Sequence, residues 1–149
     1  MKVGAIAYRK TPSGVEVCLV SSLRHRGKLT FPKGVVKDGE TPVAAAKREL
    51  FEEAGLRGKI KQKSRPIYYQ PSAKDQEPVL YFFVKVTRFA KSWPESKKRK
   101  LVFSSLRGMR KLALGDAPKH LLKKLRRVPR FADATSKKTD GGTVEIKAA

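Results

Sequence analysis

Between Thr41 and Gly55 the chain carries the signals for both ends of a helix, with a stripe of carboxylates between them. Thr41 suits the N-cap, Pro42 the first helical position and Gly55 the residue just past the end, which predicts a helix over 42–54. At about 100° per residue, Val43, Ala46, Leu50, Phe51 and Ala54 share one side, while Glu49, Glu52 and Glu53 crowd into an arc of about 100° on the other. Like charges at i and i+4 repel, and the chain has only 13 acids to place among 35 Lys and Arg. A solvated acidic face is one reading of three such glutamates. A hard divalent cation is the other: it takes oxygen ligands and, if it is Mg²⁺, keeps waters that substrate phosphates can replace. The loop before the helix favours the second.

Loop and helix together read GVVKDGETPVAAAKRELFEEAGL over 34–56. Gly34, Glu40, Arg48, Glu49, Leu50, Glu52, Glu53, Gly55 and Leu56 fill every fixed position of Gx5Ex7REUxEExGU, where U is a large aliphatic residue. On these residues the chain resembles the Nudix hydrolases. The resemblance implies an α/β fold, an α/β/α sandwich around a central mixed β-sheet. It also implies metal binding by Glu49, Glu52 and Glu53, with the backbone carbonyl near Gly34 as a further ligand. The expected metal is Mg²⁺, or Mn²⁺ in its place. Arg48 matches the arginine that orients and partly neutralises the acidic cluster, and with the three glutamates it makes up the expected catalytic set; any of the three is a candidate base. Glu40 matches a structural glutamate that bridges loop and helix. Gly34 and Gly39 are expected at tight turns.

At 149 residues the chain is long enough for one domain with its own core. That domain is expected over 1–130, followed by a polar, mobile tail over 131–149 with at most one short strand at TVEIK. Cys18, in the apolar run VEVCLV, reads as a buried strand thiol. A single cysteine makes no disulfide within the chain, and the apolar stretch of MKVGAIAYRK is too short for a signal peptide or a membrane span, so the expectation is a cytoplasmic protein. Residues 2–9 and 15–21 read as a hairpin around Thr11, Pro12, Ser13 and Gly14. Further strands are expected at 29–31, within 57–70, at 78–87 and near 100–103, and helices at about 104–112 and 118–127.

The charge is uneven as well as large. Of the formal +22, much lies between Arg88 and Arg130, where 15 Lys and Arg face 2 acids. A cationic field concentrates polyanions, so the substrate carries several phosphates or the protein touches nucleic acid; solubility alone is the competing account. A finer resemblance bears on this. LVSSLRH at 19–25, FPKG before the acidic box, SWPES at 92–96 and a basic strand KKRKLVF at 97–103 look like the diphosphoinositol polyphosphate phosphohydrolase branch, over residues 3–127. In that branch Ser21, Ser22, Arg24 and the basic residues of 97–100, among them Lys98, Arg99 and Lys100, fall where substrate phosphates are gripped. The branch often carries GGG before the box; this chain has PKGVV, which sets Lys33 and Lys37 beside the phosphate path, as in relatives that cleave dinucleoside polyphosphates.

The expected activity is therefore Mg²⁺-dependent cleavage of a phosphoanhydride bond in an inositol pyrophosphate or a dinucleoside polyphosphate, with the 5′-triphosphate end of RNA as the alternative substrate. A non-catalytic RNA-binding module is the reading from a different class. It rests on PKHLLKKLRRVPR at 118–130, where Leu121, Leu122, Leu125 and Val128 form one face and Lys and Arg the other. Few aromatics interleave with these basic residues, which argues against single-strand stacking.

Overall fold

A computed structural model of the chain describes residues 1–131 and the backbone of 144–146. The predicted hairpin forms from β1 (Lys2–Thr11) and β2 (Gly14–Ser21), paired antiparallel with Tyr8 opposite Val17. β7 (Val79–Phe89) runs parallel to β1 on its other side, and β8 (Leu101–Ser104) antiparallel to β2. With β5 (Leu56–Lys59) beside β7 and β9 (Val144–Ile146) beside β8, the sheet order is β5-β7-β1-β2-β8-β9. Short strands β3 (Leu29–Thr30), β4 (Lys33–Val35) and β6 (Ile67–Tyr69) attach to β2, β1 and β7. One parallel pair among antiparallel ones makes the sheet mixed.

Strand side chains alternate between faces, and the core divides accordingly. Ile6, Tyr8, Val17, Leu19, Tyr81 and Phe83 pack against α2 (Leu106–Met109) and α3 (Asp116–Arg126), through Leu106, Met109, Leu121 and Leu125. On the opposite face Ala5, Ala7, Cys18, Val20 and Val84 meet Leu50 and Ala54 of α1 (Pro42–Ala54), and Val3 meets Ala45 and Ala46. Covered on both faces, β1 and β2 are buried almost throughout. The result is the three-layer α/β/α arrangement expected.

Local signals locate α1 correctly. Thr41 Oγ1 accepts from the amide of Ala44, and Gly55 takes φ 67° with its amide donating to the carbonyl of Phe51. The helical wheel errs in detail. Val43 is exposed, Phe51 is half-buried under the guanidinium of Arg57, and Ala45 is buried. The strand expected near 100–103 forms as Leu101–Ser104, but the basic residues 97–100 do not extend it; residues 95–99 form a turn, closed by the Arg99 amide donating to the Glu95 carbonyl. β8 pairs with β9 on the side away from β2. β4 was not anticipated, and the helix expected over 104–112 is four residues long. Of the tail, Val144–Ile146 forms the short strand, while the mobility expected over 131–149 falls mainly on residues outside those described. No helix among the described residues is long and apolar enough to cross a membrane.

Gly55 joins α1 to β5, and a side chain there would run into the ring of Trp93. A left-handed backbone and that overlap act together, so Gly55→Ala is expected to lose about 2 kcal/mol or more in urea denaturation. An unchanged midpoint would mean that neither constraint holds.

Candidate active site

Arg48 anchors the acidic side of α1. Its guanidinium donates to both Glu40 oxygens (Nε to Oε2 at 2.8 Å, Nη2 to Oε1 at 3.0 Å), to Glu49 Oε1 at 2.7 Å, to Glu52 Oε2 at 3.2 Å and to the carbonyl of Val35 at 2.9 Å. The paired contact with Arg48, helped by the Lys37 amide, holds the Glu40 carboxyl down to about 2. Loop and helix are thereby tied together, as the sequence suggested for Glu40. Gly34 completes the approach, since a Cβ there would fall on the Glu49 carboxylate. Burial raises the Glu49 carboxyl, with Arg48 opposing it.

Glu53 behaves differently from its neighbours on the stripe. It is buried, one oxygen ion-paired to Arg99 Nη2 at 3.0 Å and the other accepting from the Lys33 amide at 3.1 Å. Burial pushes its carboxyl up to about 8, against the pull of Arg99 and the Lys33 amide. Arg99 also donates to Glu95 at 3.0 Å and to the Ser21 carbonyl at 2.8 Å. Its guanidinium thus faces inward, a clamp on Glu53 where the sequence suggested a grip on substrate. The signal for this was absent locally, because the partners come from β2, α1 and the turn after Trp93.

The other expected substrate contacts divide between two cavities. Ser22, Arg24 and Lys33 line one of about 180 Å³, together with Tyr69 and Asp116. Ser21, Lys98 and Lys100 line a second of about 570 Å³. Lys28, which the sequence did not single out, lines both. Both serine hydroxyls also shape the chain: Ser21 Oγ accepts from the Lys100 amide at 2.8 Å and Ser22 Oγ from the His25 amide at 3.0 Å. Lys33 links the halves of the site, its amide on Glu53 and its side chain in the first cavity. Burial lowers the Lys33 ammonium, and Lys2 and Arg24 add to the shift against Glu53 and Asp116.

The NUDIX domain model matches residues 1–124. The chain belongs to the Nudix family. Among relatives, it is 37% identical over 93 residues to Nudix hydrolase 12, mitochondrial, of Arabidopsis thaliana, covering 57% of this chain and 45% of that protein. It is also 37% identical over 82 residues to diphosphoinositol polyphosphate phosphohydrolase 3-alpha of Mus musculus, covering 54% and 48%. The chain spans about half the length of these relatives. Its fold is similar to that of the C. elegans Ap4A hydrolase, with a TM-score of 0.60 and 26% identity over 83% of this chain and 92% of that one.

Nudix chemistry calls for a divalent cation, and the donor set bears on whether one fits. Among the described residues no three ligating side chains gather at one point; Glu49 and Glu52 turn to Arg48, and Glu53 to Arg99. All the same, three carboxylates within two turns of helix, beside the Gly34 backbone, are the hard oxygen donors that Mg²⁺ or Mn²⁺ selects. A buried carboxyl with a raised pKa also has a proton that a cation would displace. The residues fit the group.

Two outcomes follow. Glu53 has a folded pKa near 8 against an ordinary 4.5, so the stability associated with its proton is full below about pH 4.5 and is lost as pH rises through about 8. Thermal melts of the metal-free protein should fall over that window, and Glu53→Gln should flatten the fall; parallel curves would contradict the assignment. Arg48→Lys keeps the charge but not the fork that reaches Glu40 with two bonds. It should lower the melting temperature and leave hydrolysis at a tenth or less of the parent, measured as phosphate release.

Proposed function

We propose that this protein is a divalent-metal-dependent pyrophosphohydrolase that cuts a phosphoanhydride bond in a highly phosphorylated small molecule, an inositol pyrophosphate or a dinucleoside polyphosphate. The observation that carries this reading is the position of Glu53 and Lys33. One backbone-to-carboxylate bond, from the Lys33 amide to Glu53, joins the acidic stripe of α1 to a cavity lined by Arg24, Lys28 and Lys33. A ligand whose phosphates fill that cavity lies next to the carboxylates.

The names of the relatives support the substrate class, one a diphosphoinositol polyphosphate phosphohydrolase and one an Ap4A hydrolase. Glu49, Glu52, Glu53 and the Gly34 carbonyl are the groups to hold Mg²⁺ or Mn²⁺. When bound, the cation supplies charge for phosphate oxygens and lowers the pKa of water. Arg48 keeps Glu49 and Glu52 oriented. Arg99 contacts Glu53, Glu95 and the Ser21 carbonyl, so it would keep the last two if a cation took its place at Glu53. Arg24, Lys28 and Lys33, with Ser22, bind the phosphates that are not cut; burial lowers the Lys33 ammonium, with Lys2 and Arg24 adding to it, and a bound phosphate would oppose that shift. Cys18 is buried, its thiol pushed up by burial, and takes no part.

Phosphate release across inositol pyrophosphates, dinucleoside polyphosphates, nucleoside triphosphates and triphosphorylated RNA, with Mg²⁺ and with chelator, tests the reading. The first two classes should turn over, only with metal. Glu52→Gln and Glu53→Gln should each lose about a hundredfold or more in kcat with the fold retained. Neutralising Arg24 and Lys33 should raise KM for a substrate with six phosphates far more than for one with two. Activity in chelator, or near-parent rates in both glutamine variants, would remove the site from consideration.

A further inference from the structure

The layer formed by α2 and α3 carries a charge that the proposed chemistry does not use. On α3 the residues Ala117, Leu121 and Leu125 are buried in the core, which turns Lys119, Lys123, Lys124, Arg126 and Arg127 outward, and all five are exposed. Arg107, Arg110 and Lys111, at and just after α2, are exposed as well. Asp116 is the one acid between Ser105 and Arg130. Among the described residues none of these eight cations is in an ion pair; the arginines that are paired, Arg9, Arg48 and Arg99, lie elsewhere.

Basic residues in the last turn of a helix favour its dipole by about 0.3–1 kcal/mol each. That accounts for Lys123, Lys124 and Arg126 but not for Lys119 near the start, nor for the cations around α2. Lys119, Lys123, Arg126 and Arg127 fall within an arc of about 100° and along about 12 Å of helix. They form a track.

The rest of this face indicates the occupant. The exposed large hydrophobic residues of the described chain are Met1, Leu23, Val35, Val43, Tyr68 and Phe89, none of them on α2 or α3. A membrane would find no apolar anchor here, and a protein partner no central aromatic or aliphatic anchor. Single strands bind by stacking on aromatic side chains; the one ring on α3, His120, already lies against Tyr69 at 5.5 Å. What remains is charge along one exposed helix face, which suits a regular row of phosphates. We infer that the exposed face of α2 and α3 is a docking surface for the phosphate backbone of double-stranded nucleic acid. The surface is separate from the carboxylates of α1, which lie across the sheet, and it binds without reading sequence.

Because the whole chain is cationic, the test must separate this face from the general field. Fluorescence anisotropy with short duplex DNA and duplex RNA over about 50–200 mM salt gives log K against log salt, with about 0.9 of slope per phosphate contact on B-DNA. The variant Lys119→Gln/Lys123→Gln/Arg126→Gln/Arg127→Gln should flatten that slope by about 3 and weaken binding at least tenfold. A variant matched in charge, Lys59→Gln/Lys61→Gln/Lys63→Gln/Arg65→Gln, removes four exposed cations outside this face and should leave the slope within about one unit. Lys119→Gln/Lys123→Gln alone should give about half the change of the fourfold variant. Phosphate release should be unchanged in all three. Binding of either duplex in this pattern supports the surface. Equal losses in the two fourfold variants, or tighter binding of single strands or of phosphatidylserine vesicles than of either duplex, would overturn it.

Discussion

The guanidinium of Arg48 touches Glu40, Glu49, Glu52 and the carbonyl of Val35, and so spans the loop, β4 and the exposed side of α1. Without a cation at that point the carboxylates of the helix would repel one another, and the loop that carries Gly34 would lose its tie to the helix. Arg99 plays the matching part from the other side of Glu53, reaching in from the turn before β8. Two arginines therefore contact all three glutamates. Each also has partners outside the three glutamates: Glu40 and the Val35 carbonyl for Arg48, Glu95 and the Ser21 carbonyl for Arg99. The three carboxylates are held on two arginines and do not converge, so a cation that drew them together would have to displace those contacts.

Burial differs sharply along the stripe and sets the roles. Glu52 keeps 32% of its side chain exposed while Glu53 keeps 5%, although the two are adjacent in sequence. Glu53 lies against the sheet side of the helix, where the Lys33 amide and Arg99 are its polar partners. It is the residue at which the acidic half of the site meets the cationic cavity. Gly34 and Gly55 bracket this arrangement, one leaving room for the Glu49 carboxylate and the other for the Trp93 ring.

The features set by local chemistry were legible in the sequence. Thr41, Pro42 and Gly55 mark the ends of α1 because caps act within a turn, and the β1–β2 hairpin is signalled by its own turn. Features set by distant partners were not. β4 is three residues long and exists through pairing with β1. The wheel grouped Glu53 with two more accessible glutamates because periodicity does not tell which edge of a helix meets the sheet. Arg99 read as one more cation in KKRK; only the fold brings it to Glu53. Lys28 reads as a loop lysine until β3 and the segment before it close over two cavities.

The central claim is that the buried Glu53 carboxyl, raised toward its protonated form by burial even beside Arg99, gives up that proton when a divalent cation binds on the α1 stripe. Calorimetric titration of the metal-free protein with Mg²⁺ at pH 7, in buffers of different ionisation enthalpy, counts that proton directly. With a carboxyl near 8, binding should release about one proton per bound cation, and Glu53→Gln should abolish the release. Binding heat that does not depend on the buffer, or a proton release that persists in Glu53→Gln, would contradict the account.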